Sequence, residues 1–374
     1  MIYLDHAATT PMRPGVAEAM EPFASDRFGN PSGIHGVSRR AKDALEEARE
    51  RVAARLGVRP SEVVFTSGGT ECDNLAVKGV ALAGDRRGVV TVATEHEAVL
   101  ESVAFLERLG LPVRRVGVGP DGLVDPDELI DAIDTGTGLV SVMAVNNETG
   151  VVQDVAGLAR RVAEERPWVL FHTDAVQAHP GDPVVTEHVH LASLSAHKFG
   201  GPKGSGVLVV RGGVRLEPVI HGGGQEAGRR SGTTPVALAV GFAAAFDIAA
   251  DDHSRFVAVV GGIRDDFEKL VCDRVPDAVV NGAGAPRSPQ HSNLRIPGVR
   301  NESLLIRLDQ AGVAASAGAA CQSGAPSVSH VLTAMGLTRE QVRESVRFSF
   351  GWTTTQDEAR EAAALLVEAV EALR

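Results

Sequence analysis

Short apolar runs and stretches of helical period alternate along most of this chain. The runs Glu62–Thr66, Val89–Ala93, Pro112–Val116, Leu139–Ala144, Val169–Thr173, Leu191–Ser195 and Gly206–Val210 are of strand length, which predicts seven strands. Between and after them, Arg39–Leu56, Glu71–Leu82, Leu100–Arg108, Pro126–Ala132, Val155–Glu165 and Pro235–Ala249 read as helices. Strand–helix alternation of this kind predicts a mainly parallel sheet covered by helices on both faces. Beyond the charged stretch Asp251–Arg255 the texture changes. A long helix leads to shorter strands near Ser292–Ile296 and Ser345–Phe350, then to an Ala/Glu-rich closing helix over Gln356–Leu373. The expected organisation is α/β: a large domain over 15–250, a smaller α+β domain over 251–374, and an N-terminal segment, 1–14, that packs with the small domain.

Composition narrows the function classes. Only 4% of the 374 residues are aromatic against 44% hydrophobic, so Ala, Val and Leu must build the core. A net charge of −11 without clustered Lys and Arg argues against direct nucleic-acid binding, which needs cations along the phosphate backbone. The longest apolar stretch, Val236–Ala250, is interrupted by Asp247 and is too short for a bilayer, and MIYLDHAATTP has no secretory pattern. No membrane association and a cytoplasmic location are expected. Cysteines at 72, 272 and 321 are too few and scattered for a disulfide framework or a zinc site, and His172, His179, His188 and His190 lack ligand spacing, so no metal is expected.

Candidate chemistry gathers where predicted strands end, the place where α/β sheets bind ligands. Ser195, His197 and Lys198 close one strand just before glycines. A lysine there is either a Schiff-base former with a lowered pKa or a solvated loop residue. Asp174 ends the strand of "WVLFHTDAVQ", with Gln177 three residues on. It suits a pyridinium nitrogen, and equally a helix cap. In "EVVFTSGGTECDN" a strand runs through Ser67-Gly68-Gly69-Thr70 into a helix, where exposed N–H groups favour an anion. The spacings of a dinucleotide or Walker loop are missing, and an ordinary capped helix is the other reading. His96 opens a helix after a strand, as a cap or as a ring that stacks on a flat cofactor. Cys321, among Ala, Ser and Gly in "ASAGAACQSGAPSVSHVL", reads as an accessible nucleophile, whereas Cys272 reads as a core-helix residue.

Taken in order, "YLDHAATTP", "FGNPSGIHG", "VVFTSGGTECDNLAV", "TEHEAVLES", "VNNETGVVQ", "HTDAVQ", "SAHKFGGPKGSG", "GGGQEAGRRSGT", "SAGAACQSG" and "VRFSFG" are familiar. With them the chain resembles, nearly end to end, the group I (NifS/IscS-type) cysteine desulfurases of the class V aminotransferase family. The resemblance implies the pyridoxal-phosphate-dependent transferase fold type I and a homodimer. It implies an enzyme that takes sulfur from L-cysteine, leaves L-alanine, and passes a persulfide to an acceptor protein in iron–sulfur cluster biogenesis or tRNA thiolation. Lys198 would hold pyridoxal 5'-phosphate as an imine, Asp174 would pair with the pyridine nitrogen and Gln177 would bond the phenolic oxygen. His96 would stack on the ring and move protons. Gly69, Thr70, Ser195 and His197 would bind the phosphate, and Thr233 would reach the phosphate of the neighbouring subunit. Asn147 and Arg347 would hold the substrate carboxylate, and Cys321 would take the sulfur. Ala227 departs from an arginine common in its block, and Cys72 from a serine. The rivals are a selenocysteine lyase or another fold type I enzyme, and a non-catalytic sulfur-transfer subunit. A transaminase has no use for Cys321, and a scaffold has none for Lys198, Asp174, His96 and Arg347 together.

Overall fold

The computed structural model describes residues 1–318 and 328–374. The chain begins with β1 (Ile2–Tyr3), α1 (Val16–Ala24) and α2 (Gly36–Leu56). The main sheet comprises β2 (Val63–Thr66), β3 (Gly88–Val92), β4 (Val113–Val116), β5 (Thr137–Ser141), β6 (Leu170–Asp174), β7 (Leu191–Ser195) and β8 (Gly206–Val210). Their order is β2-β8-β7-β6-β5-β3-β4. Neighbours from β4 through β7 pair in parallel, and β8 alone runs the other way, antiparallel to both β7 and β2. Six of the seven strands therefore end at the same edge of the sheet.

Side chains of a strand point alternately to its two faces, and the two faces here have separate apolar cores. Val63, Phe65, Val90, Val92, Val207 and Val209 meet α1, α2, α5 (Pro126–Asp131), α6 (Val155–Glu165) and α7 (Val236–Asp251). The residues between them, Val64, Val89, Leu208 and Val210, meet α3 (Gly69–Ala83) and α4 (Glu97–Arg108). Burial on both faces is why these strands read as unbroken apolar runs.

A second core lies among α8 (His253–Arg274), β9 (Val279–Val280), β10 (His291–Arg295), α9 (Asn301–Gln310), β11 (Val313–Ala314), β12 (Ser345–Ser349) and α12 (Gln356–Leu373). Two short helices, α10 (His330–Ala334) and α11 (Arg339–Arg343), precede β12. β10 pairs antiparallel with both β12 and β9. Phe267 sits 4.9 Å from Phe348 and 5.3 Å from Phe350, ring centre to ring centre, at the middle of this core. β1 pairs with β11, which brings Ile2 and Leu4 into this core.

Three features differ from the sequence reading. Helix α1, which contains Pro22, is not among the predicted helices; its buried Val16 anchors it on the main core. Helices α3 and α4 start earlier than the apolar period indicates, at Gly69 and Glu97, because Gly68 turns at φ +147° and His96 caps. Cys272 lies on α8 but is only half-buried. Among the described residues no helix is long and apolar enough to cross a membrane.

Candidate active site

A cavity of about 350 Å³ opens at the common edge of the sheet. Chain leaving β2 contributes Gly69, Thr70 and Asp73, and chain leaving β3 contributes His96. Beyond β5 come Asn147 and Glu148, at β6 Asp174 and Gln177, and at β7 Ser195, His197 and Lys198. Arg347 of β12 and the carbonyl-bearing pair Ala7 and Ala8 close the far side.

Lys198 ends a single 3-10 turn, Ala196–Lys198, directly after β7. The chain escapes from this turn through Gly200, at φ +89°, where an added Cβ would meet Arg13 Cγ at 2.6 Å. Lys198 Nζ donates to the carbonyls of Ala7 (2.5 Å) and Ala8 (3.1 Å). Burial, then the Arg347 cation, lowers the ammonium to a pKa of about 8, against the opposite pull of Asp174 and Asp5.

Asp174 is buried at the last position of β6, and its Oδ1 accepts from Val176 N–H at 2.9 Å. Burial raises its pKa, opposed by His96 and Lys198. Gln177 Nε2 donates to Ala7 O at 2.9 Å. His96 is the N-cap of α4: its Nδ1 accepts from Ala98 N–H at 3.1 Å, which directs a ring hydrogen to Nε2. The capping reading of this residue is thus part of the structure, and the cavity lies beside it.

The first turn of α3 has no side-chain cap. An added Cβ at Gly69 would meet Val176 Cγ2 at 2.6 Å, so a larger residue would displace the Asp174–Gln177 loop. His197 Nδ1 lies 3.2 Å from Thr9 Oγ1, and burial, then Lys198, lowers its pKa to about 4.

Arg347 is committed to two partners. Nη1 donates to the backbone carbonyl of Asn147 (2.8 Å) and Nη2 to Asp5 Oδ1 (2.7 Å), while Nε has no partner. Asn147 and Arg347 are therefore in contact, through the main chain of Asn147.

Of the expected site residues, Lys198, His96, Gly69, Thr70, Asp174, Gln177, Ser195, His197, Asn147 and Arg347 all line this one cavity. Thr233 does not; it is exposed on the surface of the chain. Cys321 lies outside the described residues. Sequence reasoning missed Asp5, Asp73, Glu148, His330 and the Ala7 and Ala8 carbonyls. Asp73 was traceable, because it stands one helical turn from Thr70 on a helix already singled out. Backbone carbonyls leave no side-chain signature at all.

The family model for aminotransferase class-V matches residues 2–361 of this chain. A curated protein named cysteine desulfurase IscS, from Dictyoglomus turgidum, is 42% identical over 377 residues, spanning 100% of this chain and 95% of that protein. A solved structure described as a NifS-like protein superimposes with a TM-score of 0.91 at 36% identity, over 99% of each chain. Another, SspA in complex with cysteine, gives a TM-score of 0.83 at 34% identity, over 94% of this chain and 99% of its own. The fold is the α/β fold type I expected from the sequence.

Proposed function

The chain belongs to the class-V aminotransferase family, and from that premise we propose that it is a cysteine desulfurase, taking sulfur from L-cysteine as a persulfide and leaving L-alanine. The observation that carries this reading is the meeting of Lys198, Asp174, the Gly69–Thr70 helix start and Arg347 around one cavity. These residues fit pyridoxal 5'-phosphate. Asp174 offers a buried carboxylate to a ring nitrogen, and the uncapped start of α3, kept open by Gly69, offers N–H groups to a phosphate. Gln177 would bond the phenolic oxygen, His96 would lie on the ring, and Thr70, Ser195 and His197 would complete the phosphate cup. When bound, the cofactor supplies an aldehyde that condenses with amines and a ring that accepts the electron pair left at the substrate's α-carbon.

The chain's own residues supply position and proton traffic. A lysine with a pKa of about 8 is partly free base near neutrality, so Lys198 Nζ can take the α-proton of the substrate and return it. The substrate carboxylate would bind Arg347, whose planar fork matches its two oxygens. Asn147, already on Arg347 through its carbonyl, would add its side-chain amide. Cys321 is the sulfur acceptor in this reading: its thiolate would attack the substrate sulfur, forming an S–S bond as the carbon–sulfur bond breaks, and the electron pair left on the substrate carbon would take a proton to become the methyl group of alanine.

The exposure of Thr233 on its own subunit suits a residue that serves a neighbour's cavity, and a homodimer is part of the proposal. So is delivery of the persulfide sulfur, in the cytoplasm, to an acceptor protein of iron–sulfur assembly or tRNA thiolation. The test is to supply L-cysteine to the purified protein and to measure alanine, sulfide under reducing conditions, and persulfide on the protein. Cys321→Ala is expected to lose the persulfide, and Lys198→Ala the yellow colour and all product. Parental sulfide release by Cys321→Ala, or a colourless protein after supply of the cofactor, would overturn the assignment.

A further inference from the structure

Behind Asp174 the cavity wall holds a second carboxyl that the reading above does not use. Asp73, on the inner face of α3, is 1% exposed and lines the cavity, and its Oδ1 has no hydrogen-bond partner. Side-chain atoms of Asp73, His96 and Asp174 all lie within 4.8 Å of one another. A third carboxyl, Glu95, is also fully buried; its Oε1 accepts from Met143 N–H at 2.6 Å, and its Oε2 is unpartnered.

The groups facing Asp73 include no obvious counter-ion. His172, on β6, places Nε2 3.7 Å from Asp73 Oδ1 and 3.0 Å from Ser193 Oγ on β7, and Nδ1 2.9 Å from Ser141 Oγ on β5. Complete burial lowers the His172 pKa to about 3, so the ring is neutral and the 3.7 Å contact is not an ion pair. His96 and Lys198 act on Asp174 instead. Burial, then the charge of Asp174, drives Asp73 well above the usual carboxylate range, with Glu95 adding to the same effect and Ser193 opposing it. Two carboxylates this close in a dry pocket repel each other, and the Lys198 cation, which acts on Asp174, favours the charge there and the proton on Asp73.

We propose that Asp73 is a positioning residue which shares one proton with Asp174, so that the pair presents a single negative charge to the ring nitrogen of the cofactor. The proposal rests on the cofactor reading above. It assigns the proton to Asp73 and the charge to Asp174 as long as both are present. If Asp174 is neutralised, Asp73 takes over the charge.

That exchange makes the two residues non-additive in a way a merely structural Asp73 would not be. The readout is equilibrium binding of pyridoxal 5'-phosphate to protein freed of it, followed by absorbance. Asp73→Asn, which copies the shape of the neutral acid, is expected to change the affinity by less than about twofold. Asp174→Asn weakens it, and Asp73→Asn added to Asp174→Asn weakens it at least about tenfold further. A tenfold loss from Asp73→Asn alone, or a double variant equal to Asp174→Asn, would overturn the proposal. A second measurement needs no cofactor. The infrared spectrum of the intact protein at neutral pH, minus that of Asp73→Asn, should contain the carbonyl band of a protonated carboxyl. Bands of an ionised carboxylate in its place would refute the shared proton, and would do so independently of the cofactor reading.

Discussion

The state of the Lys198 amine can be measured against a number. Its pKa falls from 10.5 to about 8, a differential of about 3.4 kcal/mol between the two protonation states. At pH 7 the free-base fraction is then about one in ten, instead of about one in three thousand. Burial is the leading cause and the Arg347 cation the next, so the informative perturbation is Arg347→Met, which removes the cation and keeps an apolar chain in its place. The assay is the rate at which protein freed of cofactor captures pyridoxal 5'-phosphate covalently, stopped with borohydride at a series of pH values. Capture needs the free amine. For the parent the rate should climb tenfold per pH unit and level off near pH 8. In Arg347→Met the break should move to higher pH, with slower capture at pH 7, because the form lost with Arg347 is the neutral one it favoured. A parental break near pH 10, or a break in Arg347→Met that is unmoved or shifted to lower pH, would refute the electrostatic reasoning.

Other expectations concern packing, ion pairing and acid. Gly69→Ala places a Cβ 2.6 Å from Val176 Cγ2, and cofactor affinity should fall by at least about tenfold with little loss of folding stability, measured by titration and thermal unfolding. Arg49 is held by Glu226 through two bonds of 2.7 and 2.9 Å, with the Glu226 carboxylate nearly buried. Glu226→Ala should therefore cost about 1.5–3 kcal/mol in denaturant unfolding, since Phe65 N–H loses its carboxylate acceptor while Arg49 keeps Glu46 and the Val63 carbonyl; Glu226→Gln should cost less. His172, lowered from 6.5 to about 3, binds fewer protons folded than unfolded between those values. Its stabilising neutrality is thus intact above pH 6.5 and is lost progressively below it, by about 2 kcal/mol at pH 5. His172→Gln should lose less stability than the parent between pH 7.5 and pH 5; equal losses would contradict the assignment.

Much of this molecule was readable before the coordinates. Most strands of the main sheet are apolar runs because both their faces are covered, and two of them end on polar residues that line the cavity. Asp174 and Ser195 are the last residues of β6 and β7, so the change from apolar to polar in the sequence marks the sheet edge itself. What stayed hidden depended on pairings across long sequence separation. Asp5 meets Arg347 from 342 positions away, and nothing local in "YLDHAATTP" announces an ion pair. The apolar period alone starts α4 only at Leu100, whereas the cap expected at His96 marks its true beginning. Helix α1 lies outside the predicted helices, and its seat on the main core is set by tertiary burial of Val16.

The N-terminal segment shows why these distant pairings matter. Its strand β1 belongs to the second core, through Val313 and Ala314, and Ala7 N–H donates to Ser349 Oγ of β12. Within the next few residues it reaches the main sheet: Ala7 O accepts from both Lys198 and Gln177, Thr9 Oγ1 meets His197, and Thr10 N–H donates to His197 O. One short turn, Asp5 to Ala8, therefore carries the Arg347 partner, Asp5, and the acceptors that hold the lysine amine. Arg347 comes from one core and Lys198 from the other, and this segment fixes them relative to each other. A substitution that loosens it, such as Asp5→Asn, frees a guanidinium donor and at the same time weakens the tether on Arg347. Its signature should be a raised KM for L-cysteine with kcat less affected, because the substrate carboxylate meets an arginine that is charged but no longer held in place. A kcat loss with KM unchanged would place Asp5 in the chemical step instead.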